Sequence, residues 1–168
     1  LFNSSLNVSY HLNKWELSSL TGFTHLNDRY EDYDQDYSPY DFISWYAPRR
    51  PQNTWIQEFK MISHHLGRWD ITGGLFGFAD NREARTDTHF GADAASMYPD
   101  APYIYSSLSD QTGKGVAAYA HVTYALTDKL WLTGGLRYDY DEKELTIHDE
   151  LEKSPYPVQV FPSRTVNT

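Results

Sequence analysis

Residues 115–144, GVAAYAHVTYALTDKLWLTGGLRYDYDEKE, decide the fold class. Val116, Ala118, Ala120, Val122, Tyr124 and Leu126 fall on one parity and Ala117, Tyr119, His121 and Thr123 on the other, which is the period of a strand with two unlike faces. Thr127-Asp128-Lys129 supplies a turn. Beyond it Leu130, Leu132, Gly134, Leu136, Tyr138 and Tyr140 hold one parity, and Thr133, Gly135, Arg137 and Asp139 the other. The stretch is an antiparallel hairpin with one apolar and one polar face. The apolar face must be buried against a second layer of protein or against lipid. A soluble sandwich has long loops at either end without bias, whereas a membrane barrel has short turns at one rim and long loops at the other.

The preceding chain repeats the pattern. Leu6, Val8, Tyr10 and Leu12 alternate with Asn7, Ser9 and His11, and Asn13-Lys14 turns into a strand carrying Trp15, Leu17, Ser19, Thr21 and Phe23. TWIQEFKMIS (54–63) places Trp55, Gln57, Phe59 and Met61 opposite Ile56, Glu58, Lys60 and Ile62. His65-Leu66-Gly67-Arg68 turns into WDITGGLFGF (69–78), where Trp69, Ile71, Gly73 and Leu75 share a face. The count is about six strands. Between them lie stretches rich in Asp and Tyr and broken by Pro39, Pro48 and Pro51, which predict long loops from Asn27 to about Asn53, from about Asp80 to Thr112, and from Asp141 onward through Pro155, Pro157 and Pro162.

HLNKW (11–15) and HLGRW (65–69) are one turn written twice, and LTDKLW (126–131) is a variant. Each short turn leads into a strand that runs out to a long loop, so all short turns fall at one rim. That asymmetry predicts an all-β fold of antiparallel up-and-down hairpins belonging to a transmembrane barrel. Trp15 and Trp69 sit where an interfacial aromatic girdle is expected, and Trp131 takes the inward parity.

Composition narrows the function. The chain has 168 residues, no Cys and a net charge of −9, with 14 Tyr against 2 Met. The length allows one domain, and no run of apolar residues is long enough for a transmembrane helix. An acidic chain without a basic patch is not expected to bind nucleic acid. No basic segment followed by an apolar run opens the chain at Leu1, so no signal peptide is expected within this sequence.

No catalytic centre is expected. Gly73-Gly74, Gly134-Gly135 and Gly113-Lys114-Gly115 lack the strand-to-helix setting of a phosphate loop and read as local packing or bulges. Asp32, Asp34 and Asp36 have the first three spacings of a calcium loop, but Tyr37 and Ile43 stand where that loop needs Gly and Glu. His64 and His65 point to opposite faces of a strand, and His25, His89, His121 and His148 are scattered, so no metal site is expected. Pairs such as Asp141-Glu142 read as a solvated acidic rim rather than a glycosidase couple.

IQEFKM (56–61), WDITGGLF (69–76), YAHVTYALTDKL (119–130) and TGGLRY (133–138) resemble consecutive barrel segments of TonB-dependent outer-membrane receptors, over roughly Leu6 to Glu144. The resemblance implies a large plugged barrel in the bacterial outer membrane. Residues 1–168 would be a partial barrel domain, with the plug domain and remaining strands absent. It implies energised uptake of a scarce nutrient, most often a ferric siderophore. Partners would be outer-membrane lipid, the ligand, and a TonB-type energy-coupling protein acting through the plug. Glu58, Lys60, Arg137 and Asp139 would face the lumen. In the long loops Trp45, Tyr46, Arg49 and Arg50, with Tyr103 and Tyr105, offer stacking faces beside guanidinium groups, which suit a bulky anionic ligand such as a ferric chelate. No cofactor is expected. The alternative is a soluble β-sandwich that binds carbohydrate on exposed Tyr and Trp, and a small self-contained porin would need two more strands.

Overall fold

The computed structural model describes residues 1–64, 66–153 and 156–167, and of Asp32 the backbone only. Six long strands follow one another in space as in sequence: β1 (Phe2–His11), β2 (Trp15–Asp34), β3 (Ile43–Ser63), β4 (Trp69–Phe90), β5 (Tyr103–Thr127) and β6 (Leu130–Glu152). Each pairs antiparallel with the next. Two short strands, β7 (Gln159–Val160) and β8 (Arg164–Asn167), both lie antiparallel to the upper part of β6. A single 3₁₀ turn, Ala92–Ser96, sits between β4 and β5.

The short connections gather at one end, as the sequence predicts. The Leu12 N–H donates to the Trp15 carbonyl at 2.7 Å, and in the next turn Gly67 takes the left-handed conformation at φ 71, which spares it the Cβ clash of other residues. The predicted turn includes His65, which lies outside the described residues.

The predicted long loops are mostly strand. β2 runs on to Asp34, β3 begins at Ile43, β4 reaches Phe90, β5 begins at Tyr103 and β6 continues to Glu152, so the hairpin tips are residues 35–42 and 91–102. Prolines misled the local reading because a proline breaks only the ladder it should donate to. Pro48 and Pro51 sit where β3 has no partner on β4, between Tyr46 and Gln52. In the third predicted loop, Pro157 and Pro162 flank β7, and Pro155 lies outside the described residues.

There is one sheet and no second layer on it among the described residues, so the up-and-down hairpins of the expected barrel wall are present and the alternative of a sandwich is not met. Among the described residues the buried apolar side chains are small, Ala47, Pro51, Ala94 and Ala117, and none is a large aliphatic or aromatic group. One face carries the large apolar residues, and cross-strand pairing aligns them: Val8, Ser19, Phe59, Leu75, Ala118 and Tyr138 form one rung, and Tyr10, Leu17, Met61, Gly73, Ala120 and Leu136 the next toward the turns. Leu136 is 79% exposed and Leu75 60%, which in water would be a large unfavourable surface.

The borders of this apolar band are marked by aromatics. At the turn end Trp69 packs on Tyr124 with ring centroids 4.4 Å apart, and toward the long hairpins Phe23 packs on Trp55 at 4.4 Å. Trp55 is level with Ala79, ten residues along β4 from Trp69. Ten residues span about 33 Å of strand, and a tilt near 40° makes this about 25 Å across, the height of a lipid-facing barrel band. The first charges on this face, Lys114 and Glu142, stand on the Ala79 rung and pair at 3.1 Å.

Candidate functional site

The face opposite the apolar band holds the charged groups. Glu58 lies on a rung with Leu20, Phe76, Ala117 and Asp139, and Lys60 on the adjacent rung with Ser18, Gly74, Tyr119 and Arg137. Alternation therefore places Glu58, Lys60, Arg137 and Asp139 on two neighbouring rungs of one face. Asp139 accepts two hydrogen bonds from Arg137 Nε, at 2.9 and 3.0 Å, and one from Nη2 at 2.7 Å. Glu58 accepts from the Tyr119 hydroxyl at 2.7 Å. These bonds lower the cost of holding charge on the wall.

Higher on the sheet two bulges change which residues share that face. Between Asp28↔Arg50 and Tyr30↔Ala47, β3 uses three residues against two of β2, and between Tyr30↔Ala47 and Tyr33↔Trp45 the extra residue is on β2. The pairing with β4 slips by the same one residue of β3. A one-residue slip moves every later side chain to the other face. Trp45 and Trp55 have the same parity in sequence, yet Trp45 lies on the charged face and Trp55 on the apolar one.

The result is a cavity of about 470 Å³ lined by Tyr30, Tyr33, Trp45, Ala47, Arg50 and Thr86. The Arg50 guanidinium lies over the Tyr30 ring, 5.6 Å from its centroid, and 3.8 Å from the Asp28 carboxylate. Its Nε–H is buried and has no hydrogen-bond partner among the described residues. A buried donor without an acceptor is costly, and an acceptor from a ligand in the cavity would satisfy it.

The other predicted binding residues are not brought to this cavity. Tyr46 takes the opposite face and meets His89 edge-on at 6.4 Å. Arg49 is exposed within the bulge. Tyr103 stacks on Phe90 at 4.4 Å, and burial followed by the nearby Tyr98 and Asp100 raises its phenol pKa. Tyr105 is on the Trp45 face but lines a separate groove with Asp149, Phe161 and Arg164, and burial and the Asp149 carboxylate raise its pKa. Tyr30, Tyr33 and Thr86 were missed, because their convergence depends on bulges that no local pattern marks.

Above the cavity the β2–β3 tip is tied by its own carboxylates. Asp34 Oδ1 accepts from the N–H groups of Asp36 and Tyr37 at 3.1 and 3.2 Å, and Asp36 accepts from those of Ser38 and Ile43 at 2.9 and 3.0 Å. These bonds hold Tyr37 at φ 53 and explain the acidic spacing without a metal ion. Hydrogen bonds from the Ser38 side chain and then the Ile43 backbone hold the Asp36 carboxyl below the usual carboxylate range. Among the described residues no group of three or more His, Asp or Glu side chains has metal-binding geometry. Glu16 lies 3.3 Å from His64 Nε2 and 3.8 Å from His11 Nδ1.

Comparison with known proteins agrees with this geometry. A family model described as TonB dependent receptor-like, beta-barrel matches residues 2–158. The pesticin receptors of Yersinia enterocolitica and Yersinia pestis are 31% identical over 72 residues, 43% of this chain and 10% of theirs. The crystal structure of the ferric yersiniabactin uptake receptor FyuA from Yersinia pestis superposes with a TM-score of 0.72 at 18% identity, over 98% of this chain and 24% of that one. The chain thus spans about a tenth of the pesticin receptors and about a quarter of FyuA. The match along almost the whole sheet, with short turns at one end and a girdled apolar face, leaves one assignment: the chain belongs to the TonB-dependent receptor β-barrel family, a family of receptors and not of enzymes.

Proposed function

We propose that this chain forms part of the wall of a bacterial outer-membrane receptor that takes up a ferric siderophore or a similar anionic chelate, driven by a TonB-type energy-coupling protein. In this reading the apolar band faces lipid, and Glu58, Lys60, Arg137 and Asp139 face the lumen. The cavity of Tyr30, Tyr33, Trp45 and Arg50 contacts the incoming ligand. The observation that carries the reading is the Arg50 guanidinium over the Tyr30 ring, in a cavity on the charged face that Tyr33 and Trp45 also line, with a buried N–H left open. Such a site recognises a flat, electron-rich anion through cation–π and stacking contacts together with a charge-assisted hydrogen bond. FyuA is named for ferric yersiniabactin uptake, which supports the ligand class but not the particular chelate.

The test is a fluorescence titration of the detergent-solubilised protein with a panel of ferric siderophores and their iron-free forms. Saturable quenching by a ferric form is expected, with the Trp45 share of the signal lost in Trp45→Phe. In Arg50→Ala the affinity should fall about tenfold, the effect of losing one charge-assisted contact. Ferric forms that bind Arg50→Ala as well as they bind the parent would overturn the role of this cavity.

A further inference from the structure

The two hairpin tips are fastened to each other by a pair of aspartates 52 residues apart in sequence. Asp93 Oδ2 accepts from the Asp41 N–H at 2.9 Å, and Asp41 returns the contact twice: its Oδ2 accepts from the Ala92 N–H at 3.2 Å and its carbonyl from the Asp93 N–H at 3.2 Å. The Gly91 N–H donates to the Phe42 carbonyl at 2.9 Å. The Asp41 carboxyl fills the space where a Cβ on residue 91 would stand, so glycine is required there for packing. Gly91 has φ −78 and ψ −176, a conformation open to any residue, so its backbone imposes no such requirement. Lys153 then reaches Asp100 at 2.7 Å and ties the second tip to the end of β6.

We propose that Asp41 and Asp93 are positioning residues for the ligand cavity: their reciprocal latch makes the β2–β3 and β4–β5 tips one body and so fixes the cavity formed by Tyr30, Tyr33 and Trp45 just below. Neither aspartate touches the cavity. The latch acts through the strands it joins, since Ile43 pairs with Phe90 and Trp45 with Thr88 immediately beneath it. Above the gap in the β3–β4 ladder between Tyr46 and Gln52 the two hairpins are joined by only four residue pairs, and without the latch this short stretch would fray and loosen a site that both hairpins line. The ligand part of this proposal rests on the function proposed above, whereas the mechanical part does not.

Hydrogen–deuterium exchange of the whole protein in micelles, read in peptides covering 35–44 and 89–97, tests the mechanical part. Asp93→Ala should speed exchange in both tips by about fivefold or more, the ratio expected for losing one net hydrogen bond, and Asp93→Asn, which keeps an acceptor, should restore protection. Gly91→Ala, which drives a methyl into Asp41, should reproduce Asp93→Ala from the other side. Faster exchange confined to the tip that carries the substitution would overturn the latch. For ligands that bind the parent, Asp93→Ala should raise the dissociation rate with little change in association rate, reversed in Asp93→Asn; an unchanged dissociation rate would overturn the positioning role. Coupled exchange together with no ferric-chelate binding by any form would leave the latch standing and remove the proposed ligand.

Discussion

The Tyr119 hydroxyl on β5 donates to Glu58 Oε1 on β3 at 2.7 Å, reaching across the full width of β4 over Gly74. A Cβ at position 74 would stand 2.6 Å from the Tyr119 Cζ and hydroxyl and 2.7 Å from the Phe59 carbonyl. The glycine that resembles half of a phosphate-loop pair is the floor on which a tyrosine ring lies.

Gly74→Ala should therefore destabilise the sheet by about 1–3 kcal/mol, because the ring must move off the strand and a backbone carbonyl stands in the way. Tyr119→Phe should cost about 1 kcal/mol, the net worth of one hydrogen bond. In the double variant the two losses should not add, since both break the same contact. Urea unfolding in micelles measures all three, and additive losses would show that the Gly74 methyl acts elsewhere.

Depth across the apolar band sets the cost of a charge. Leu75 lies between the Trp69 and Ala79 borders, so Leu75→Arg should cost about 2–4 kcal/mol, whereas Ala79→Arg, level with the Lys114–Glu142 pair, should cost about 0–1 kcal/mol. Refolding equilibria in lipid vesicles read the difference. Equal costs at the two positions would mean that this face does not meet lipid.

The bulge at Pro48–Arg50 absorbs one extra residue of β3. Removing Arg49 brings Trp45 from ten residues before Trp55 to nine, so β3 should pair one-to-one with β4 and keep Trp45 opposite Thr88 on the charged face. Spin labels on Trp45→Cys and Thr86→Cys, which line one cavity, should broaden each other's spectra both with and without Arg49. Broadening lost on the deletion would show that the extra residue of β3 lies elsewhere.

Acid should loosen the β2–β3 tip before the strands. Hydrogen bonds from the Ser38 side chain and the Ile43 backbone lower the Asp36 pKa in the folded tip below its ordinary 3.8, so they favour the carboxylate. The folded state then binds the proton less readily than the unfolded tip does. The stabilisation is complete well above 3.8 and is lost as pH falls through the lower folded value. Amide exchange over residues 36–43, corrected for intrinsic rate, should lose protection in that acid window, and Asp36→Ala should lack the dependence. Identical pH profiles for the two proteins would show that Asp36 does not hold the tip.

The alternation in residues 115–144, 54–63 and 69–78 was enough to give strands, faces and turn positions, because which side a residue takes within an unbroken strand is a local property of period two. The same counting placed Glu58, Lys60, Arg137 and Asp139 on one face, and the repeated turns gave the polarity of the sheet. The upper halves of the strands were illegible. Asp and Tyr accumulate there as they would in a loop, and pairing with neighbours far along the chain overrides that preference.

Trp45 and Tyr46 show the limit most clearly. Counting parity from Trp55 puts Trp45 on the apolar face and Tyr46 on the charged one, and the structure has the reverse, because one extra residue in β3 is accommodated between strands that the local sequence does not contain. The contact of Asp41 with Asp93 and that of Tyr119 with Glu58 across Gly74 have the same character. The sequence by itself determined the period and the chemistry of each strand; only the tertiary structure decided register above the bulges, and with it which side chains meet, because register belongs to pairs of strands and not to either one alone.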